Sequence, residues 1–289
     1  MPSLKEYKNK LRSLKNIAKI TKTMKLVAAS KLRQAQHAQS RAKLYAWELT
    51  ELIARLAASV QADTHPLLRT REAVKNVMVL VVTSDKGLCA GFNNNLGKKV
   101  VAWMREKKMV YDKVDLSFCG KRGFMYFKMR GSRRKLYENT TAKPDFLKAK
   151  EIGEELSRWF VAGEYDEVYL AYNQFNNPLS QTPMLEKILP IESMSLTRSA
   201  APLSTDYIFE PAQVELLQFL IPRFLYFKIY YALLENSAGE HGARMSAMDK
   251  ATQNASDLID RYTLLRNRAR QAAITKELIE IVSGAEALK

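Results

Sequence analysis

Met248-Asp249-Lys250-Ala251-Thr252-Gln253-Asn254-Ala255-Ser256-Asp257-Leu258-Ile259-Asp260-Arg261-Tyr262-Thr263-Leu264-Leu265-Arg266-Asn267-Arg268-Ala269-Arg270-Gln271-Ala272 decides the fold. Met248, Ala251, Ala255, Leu258, Tyr262, Leu265, Ala269 and Ala272 fall at alternating steps of three and four. That is the seam of a helix wound around another helix. No proline interrupts the chain from Gly239 to Lys289, and at 1.5 Å per residue such a helix reaches roughly 70 Å. A rod of that length needs a partner strand.

The opposite end of the chain offers one. Leu4, Tyr7, Leu11 and Leu14 keep the same spacing, the stripe steps by three to Ile17, and it continues through Ile20, Met24 and Val27. A three-residue insertion of this kind is a stammer, which overwinds a coil locally. The stripe resumes with Leu32, Ala35, Ala42, Tyr45, Leu49, Leu52 and Leu56, and Ser3 with Glu6 has the form of a capping box. The reading is one helix over about 3–59. It pairs with the C-terminal helix as an antiparallel coiled coil.

Composition narrows the partners. Lys plus Arg number 46 against 30 Asp plus Glu, a formal net charge of +16. Lys5, Lys8, Lys10, Arg12, Lys15, Lys19, Lys22, Lys25, Lys31 and Arg33 crowd the first helix, with Glu6 nearly alone against them. Such a face suits nucleic acid, anionic lipid or an acidic protein surface, and the plain alternative is a solvated helix. The first forty residues hold one aromatic, Tyr7, and it lies on the apolar seam. A binder of single-stranded nucleic acid needs more rings than that to stack bases, so an acidic protein partner fits better. The two cysteines, Cys89 and Cys119, lack metal-type spacing and read as free thiols of a reducing compartment. No apolar export signal is seen at the N-terminus. The apolar run Leu216–Leu234 contains Pro222, Arg223 and Lys228, which favours a buried helix over a membrane span.

Between the coil strands lies an α/β pattern. Val77-Met78-Val79-Leu80-Val81-Val82 reads as a strand buried on both faces. The turn Ser84–Asn93 follows, then a helix over about 94–107, a strand over 115–120, a short helix or strand over 124–129, a helix over 146–161, and strands over 167–175 and 184–191. Alternation of this kind implies right-handed crossovers and a mostly parallel sheet. The domains expected are therefore a coil helix over 1–60, an α/β domain over 70–200 and a second coil helix over 210–289, with the α/β domain inserted as a globular foot.

Chemistry is sparse. The turn Ser84–Asn93 sits where a phosphate binds in doubly wound folds, but it lacks both the dinucleotide fingerprint and the GxxxxGK[ST] pattern. The alternative is that Gly87 and Gly91 supply backbone conformations closed to other residues. His37, His65 and His241 have no metal-ligand spacing, and no nucleophile with its base is visible. The chain reads as non-catalytic and without a cofactor.

Three blocks resemble the gamma subunit family of F-type ATP synthases: Lys19-Ile20-Thr21-Lys22-Thr23-Met24-Lys25-Leu26-Val27-Ala28-Ala29-Ser30-Lys31-Leu32; Thr83-Ser84-Asp85-Lys86-Gly87-Leu88-Cys89-Ala90-Gly91-Phe92-Asn93; and Glu235-Asn236 through Ala243-Arg244-Met245-Ser246-Ala247-Met248 to Ala269-Arg270-Gln271-Ala272-Ala273-Ile274-Thr275-Lys276-Glu277-Leu278. The resemblance implies an antiparallel coil with an inserted Rossmann-like α/β foot, one copy per complex. It further implies a rotor shaft inside a ring of three alpha and three beta subunits, resting on a c ring beside epsilon. Its membrane association would be indirect, at the cytoplasmic face of a bacterial inner membrane. Rotation of the c ring would turn the shaft and drive conformational change at the beta subunits. Residue by residue, the resemblance assigns alpha and beta contacts to Lys22, Met24, Lys25, Arg244, Gln271, Thr275 and Glu277, and c-ring or epsilon contacts to Tyr207, Phe209 and Glu210. Lys25 stands where an acidic residue is common and Phe209 where tyrosine is common. The cysteine-bearing regulatory insert of plant-type members is missing.

Two rivals stay in view. A static, basic coiled-coil adaptor would bind nucleic acid with steep salt dependence. A nucleotide-dependent enzyme would use the Ser84–Asn93 turn.

Overall fold

A computed structural model describes residues 3–58, 65–71, 73–191 and 213–286. Two helices bracket the chain, α1 (Leu4–Ala58) and α5 (Gln213–Glu286), with a five-stranded α/β region between them. The contacts divide into two compact units, residues 1–28 with 245–289, and residues 29–244.

In the first unit the ends of α1 and α5 run antiparallel. Tyr7 meets Tyr262 at 6.3 Å, Thr252 Oγ1 donates to Thr21 Oγ1 at 2.8 Å, and Lys25 Nζ reaches Asp249 at 2.6 Å. The capping box forms: Glu6 N–H donates to Ser3 Oγ and Ser3 N–H to Glu6 Oε2, both at 3.3 Å. The stammer does not. After Leu14 the inward stripe passes through half-buried Ala18, buried Thr21 and half-buried Lys25 to buried Ala28 in unbroken heptad steps. Ile17, Ile20 and Val27 are 45%, 58% and 51% exposed, whereas Thr21 is 9% and Ala28 2% exposed. Two helices approach most closely over small side chains, so Ala and Thr hold the seam here. Thr21 remains satisfied by donating back to the Ile17 carbonyl at 3.0 Å. On α5, Met248 and Ala255 are buried while Leu258 and Ala272 are exposed, and every residue from Ile274 to Ser283 is exposed.

In the second unit α1 continues with Leu32, Ala35, Ala42, Leu49 and Ile53 buried, while Tyr45 and Leu52 are exposed. The sheet comprises β1 (Asn76–Val82), β2 (Lys113–Cys119), β3 (Ser132–Tyr137), β4 (Glu167–Asn177) and β5 (Ser180–Leu189), in the order β3-β2-β1-β4-β5. The first four strands are parallel and β5 returns antiparallel on β4. Helices α2 (Phe92–Glu106), α3 (Lys121–Tyr126) and α4 (Phe146–Val161) cross between them. Strand β3 was invisible to the sequence reading because it is Ser-Arg-Arg-Lys-Leu-Tyr. An edge strand faces water and needs no continuous apolar run. Of the two alternatives for 124–129 the helix is the one that forms, as the end of α3 (Lys121–Tyr126), with a turn after it.

Both faces of β1 are covered. Met78, Leu80 and Val82 join α4 and α5 in one core, and Val77, Val79 and Val81 join α2 and β2 in the other. The chain enters β1 through Asp166, which accepts from the N–H groups of Lys75 and Asn76 and from Arg71, each at 2.8 Å. Burial would raise this carboxyl, but the two amides and the guanidinium hold it below its ordinary value. Helix α5 absorbs Pro222 near its start, and Lys228 pairs with Glu186 at 3.2 Å. Among the described residues no helix is long and apolar enough to cross a membrane. Residues 192–212, between β5 and α5, lie outside the described residues.

Candidate functional site

The strand order reverses between β1 and β4, and the turn Ser84–Asn93 leaves the carboxyl end of β1 at that point. The turn is held by its own side chains. Ser84 N–H donates to Asn93 Oδ1 at 3.0 Å, Ser84 Oγ to the Lys86 carbonyl at 2.6 Å, and Asn93 Nδ2 to Ser84 Oγ at 2.8 Å. Asp85 accepts from Lys121 N–H and Thr141 Oγ1. The left-handed residues are Leu88 and Ala90, with φ of 64° and 49°, not Gly87 or Gly91. A Cβ on Gly87 would stand 2.9 Å from the Arg122 guanidinium, the movable end of a long side chain. Left-handed conformation does matter at Gly120, where φ is 99° and a Cβ would fall 2.3 Å from the Thr83 carbonyl oxygen.

Helix α5 fills the space beside this turn. Asn236 Nδ2 donates to the Thr83 carbonyl at 3.2 Å, and Glu235 accepts from Phe175 N–H at 2.6 Å and Gln39 Nε2 at 2.7 Å. Arg244 donates to the Gly87 carbonyl at 3.1 Å through Nη2 and 3.3 Å through Nε, and to Glu240 Oε1 at 2.6 Å. His241 Nδ1 lies 3.3 Å from Arg244 Nη1. Burial, then the positive charges of Arg244 and Lys31, lowers His241 to about 4, so the ring is neutral near pH 7 and accepts from Arg244. Burial raises the Glu240 carboxyl, with Arg244 opposing it. The place where a phosphate would sit in a doubly wound sheet therefore holds side chains of the protein's own helix. Cys89 and Cys119 are free and buried, with burial raising both thiols, Cys119 to about 12.

Among the described residues two apolar surfaces in the first unit are exposed. Ile17, Ile20 and Val27 form an outward stripe on α1 with half-buried Met24 between them, flanked by exposed Lys19 and Lys22. Ile274, Leu278, Ile279, Ile281 and Val282 are exposed at the end of α5. Heptad spacing places the α1 stripe in the seam, and it marks none of the apolar residues at the α5 end.

A family model described as ATP synthase matches residues 3–288. The ATP synthase gamma chain of Trichlorobacter lovleyi is 42% identical over 289 residues, covering all of both chains, and that of Geobacter metallireducens is 44% identical with the same coverage. This chain belongs to the ATP synthase gamma chain family. The fold agrees: a chain of the Euglena gracilis mitochondrial ATP synthase, OSCP/F1/c-ring, aligns at TM-score 0.66 and 18% identity, covering 99% of this chain and 94% of that one. A chain of the Tetrahymena thermophila mitochondrial ATP synthase central stalk and c-ring aligns at TM-score 0.60 and 24% identity, covering 80% and 99%.

The residues that gamma-family resemblance singled out fall in distinct places. Lys22, Met24 and Lys25 lie on α1 beside the start of the coil portion of α5. Lys25 spends its charge on Asp249 within the coil, so Lys22 is the freer cation. Gln271, Thr275 and Glu277 are exposed on α5, about twenty residues or 30 Å along the helix from Asp249. Arg244 is 9% exposed, and its guanidinium donates to the Gly87 carbonyl and Glu240 and lies beside His241. Tyr207, Phe209 and Glu210 lie outside the described residues.

Proposed function

We propose that this chain is the central rotor shaft of an F-type ATP synthase, coupling ion-driven rotation of a c ring to ATP synthesis or hydrolysis at the beta subunits. The carrying observation is the pair of uncovered apolar surfaces on a coil that family membership assigns to the gamma chains. An isolated helix end bearing Ile274, Leu278, Ile281 and Val282 calls for a surrounding partner surface. The stripe of Ile17, Ile20 and Val27 beside Lys19 and Lys22 suits partner loops that carry both apolar and acidic side chains.

Within this reading the chain does no covalent chemistry. One copy stands inside three alpha and three beta subunits, and the foot rests on the c ring with epsilon beside it. The complex holds the chain peripherally at the cytoplasmic face of a bacterial inner membrane. Coupling follows from differential binding: a coil whose faces differ stabilises a different conformation at each of three otherwise equivalent sites. Lys22, Met24, Gln271, Thr275 and Glu277 would meet alpha and beta subunits, while Tyr207, Phe209 and Glu210 would meet the c ring or epsilon. Lys25 would contribute through its bond to Asp249.

Met24→Lys tests the reading. A third cation beside Lys22 and Lys25 strengthens attraction to acidic loops in every rotational position alike. Assembly should persist while protons pumped per ATP fall. An unaltered pumping ratio in the assembled variant would remove Met24 from the coupling surface.

A further inference from the structure

In α/β sheets wound in both directions, ligands occupy the crevice outside the carboxyl ends of the strands, where strand order reverses. Here the crevice lies between β1 and β4, and α5 runs through it. Every residue from Ala232 to Arg244 is buried, polar ones included. A surface helix keeps one face in water, so this stretch is enclosed on all sides by the turn, the β4–β5 hairpin and α1.

The enclosure resists turning. Glu235 is tied to β4, Asn236 to the end of β1 and Arg244 to the turn. At roughly 100° per residue these three anchors point in directions spread around the helix by about 0°, 100° and 180°. No small rotation preserves all of them. The enclosure also resists sliding. A Cβ on Gly239 would stand 2.8 Å from the Phe92 ring, and one on Gly242 would stand 3.1 Å from the Pro178 backbone. A shift of one residue in either direction carries a side chain into one of these places.

We infer that this socket is a clamp fixing α5 to the α/β domain against both rotation and axial slip, with Asn236, Gly239 and Arg244 as its positioning residues. The inference rests on the shaft reading, in which torque delivered to the α/β domain must pass into α5. The helix runs unbroken from the socket to Glu286. The crevice that other such sheets give to a ligand here holds the protein's own drive shaft.

The test uses the assembled ATP synthase in liposomes, with protons pumped per ATP hydrolysed as the readout. A buried hydrogen bond to a charged group shifts an equilibrium by roughly tenfold or more. The double variant Asn236→Leu, Arg244→Gln should therefore keep hydrolysing ATP while its pumping ratio falls on the order of twofold or more. Arg244→Lys, which retains one donor, should fall less. A role confined to folding would lower the yield and melting temperature of the complex but leave the ratio of assembled complexes unchanged, and that result would overturn the clamp. If the double variant does not assemble, Gly239→Ala decides. It keeps every polar anchor and only wedges the helix from Phe92, so a reduced ratio supports the clamp and an unchanged one overturns it. A wild-type chain that joins no ATPase would sink the shaft reading itself. Wild-type pumping with unaltered variants would remove the clamp alone.

Discussion

Acid should loosen this protein in part through His241. Its ring is 8% exposed, and burial together with Arg244 and Lys31 lowers it from 6.5 to about 4. The folded state thus holds the neutral ring, and the unfolded chain takes up the proton first. Stability from this group is complete above pH 6.5 and is lost as pH falls toward 4. At about pH 5 the loss is about 2 kcal/mol at full strength, and about 1 to 2 kcal/mol after screening near solvent. Glu240 acts in the opposite sense, since its raised carboxyl gains a proton on folding. The comparison must therefore isolate the histidine. His241→Asn retains an acceptor for Arg244 but cannot titrate. Urea unfolding followed by circular dichroism at about pH 8 and about pH 5 should show wild type losing about 1 to 2 kcal/mol more than the variant. Equal losses would refute the reasoning.

The seam gives a second prediction. Leu14→Ala deletes a buried seam side chain and should cost about 2 to 4 kcal/mol, whereas Ile20→Ala, at an exposed position, should cost under about 1 kcal/mol. Equal costs in thermal unfolding would restore the stammered register. The thiols give a third. Cys89 and Cys119 are buried with raised pKa values, so a thiol-specific disulfide reagent should label neither in the folded protein and both in urea. Rapid labelling of either in the native protein would contradict its burial.

Much of this fold can be read from sequence, and the failures share causes. The α5 seam at Met248 and Ala255 and the α1 seam at Leu11 and Leu14 were legible because apolar residues at heptad spacing have few other uses. The register after Leu14 was lost because Ile17 and Ile20 outweigh Ala18 and Thr21 in bulk, while close helix approach rewards the small pair. That error also hid the outward stripe, whose residues had been assigned to the interior. The socket was illegible for the converse reason. Glu235, Asn236, Glu240, His241 and Arg244 are polar types that favour water, and only the β1 carbonyl end, the turn and the hairpin make their burial tolerable. No periodicity in α5 carries that information, because the partners lie elsewhere in the chain. Resemblance marked Arg244 as important, but its bonds to Gly87 and Glu240 within the chain could not be read from the sequence.

The central claim is that this chain turns. A cysteine placed at Met109, which is 95% exposed, would carry a gold rod once the complex is fixed to glass through its alpha and beta subunits. On adding ATP the account predicts unidirectional, stepwise rotation of the rod about one axis. A rod that stays still while the same complexes hydrolyse ATP would contradict it.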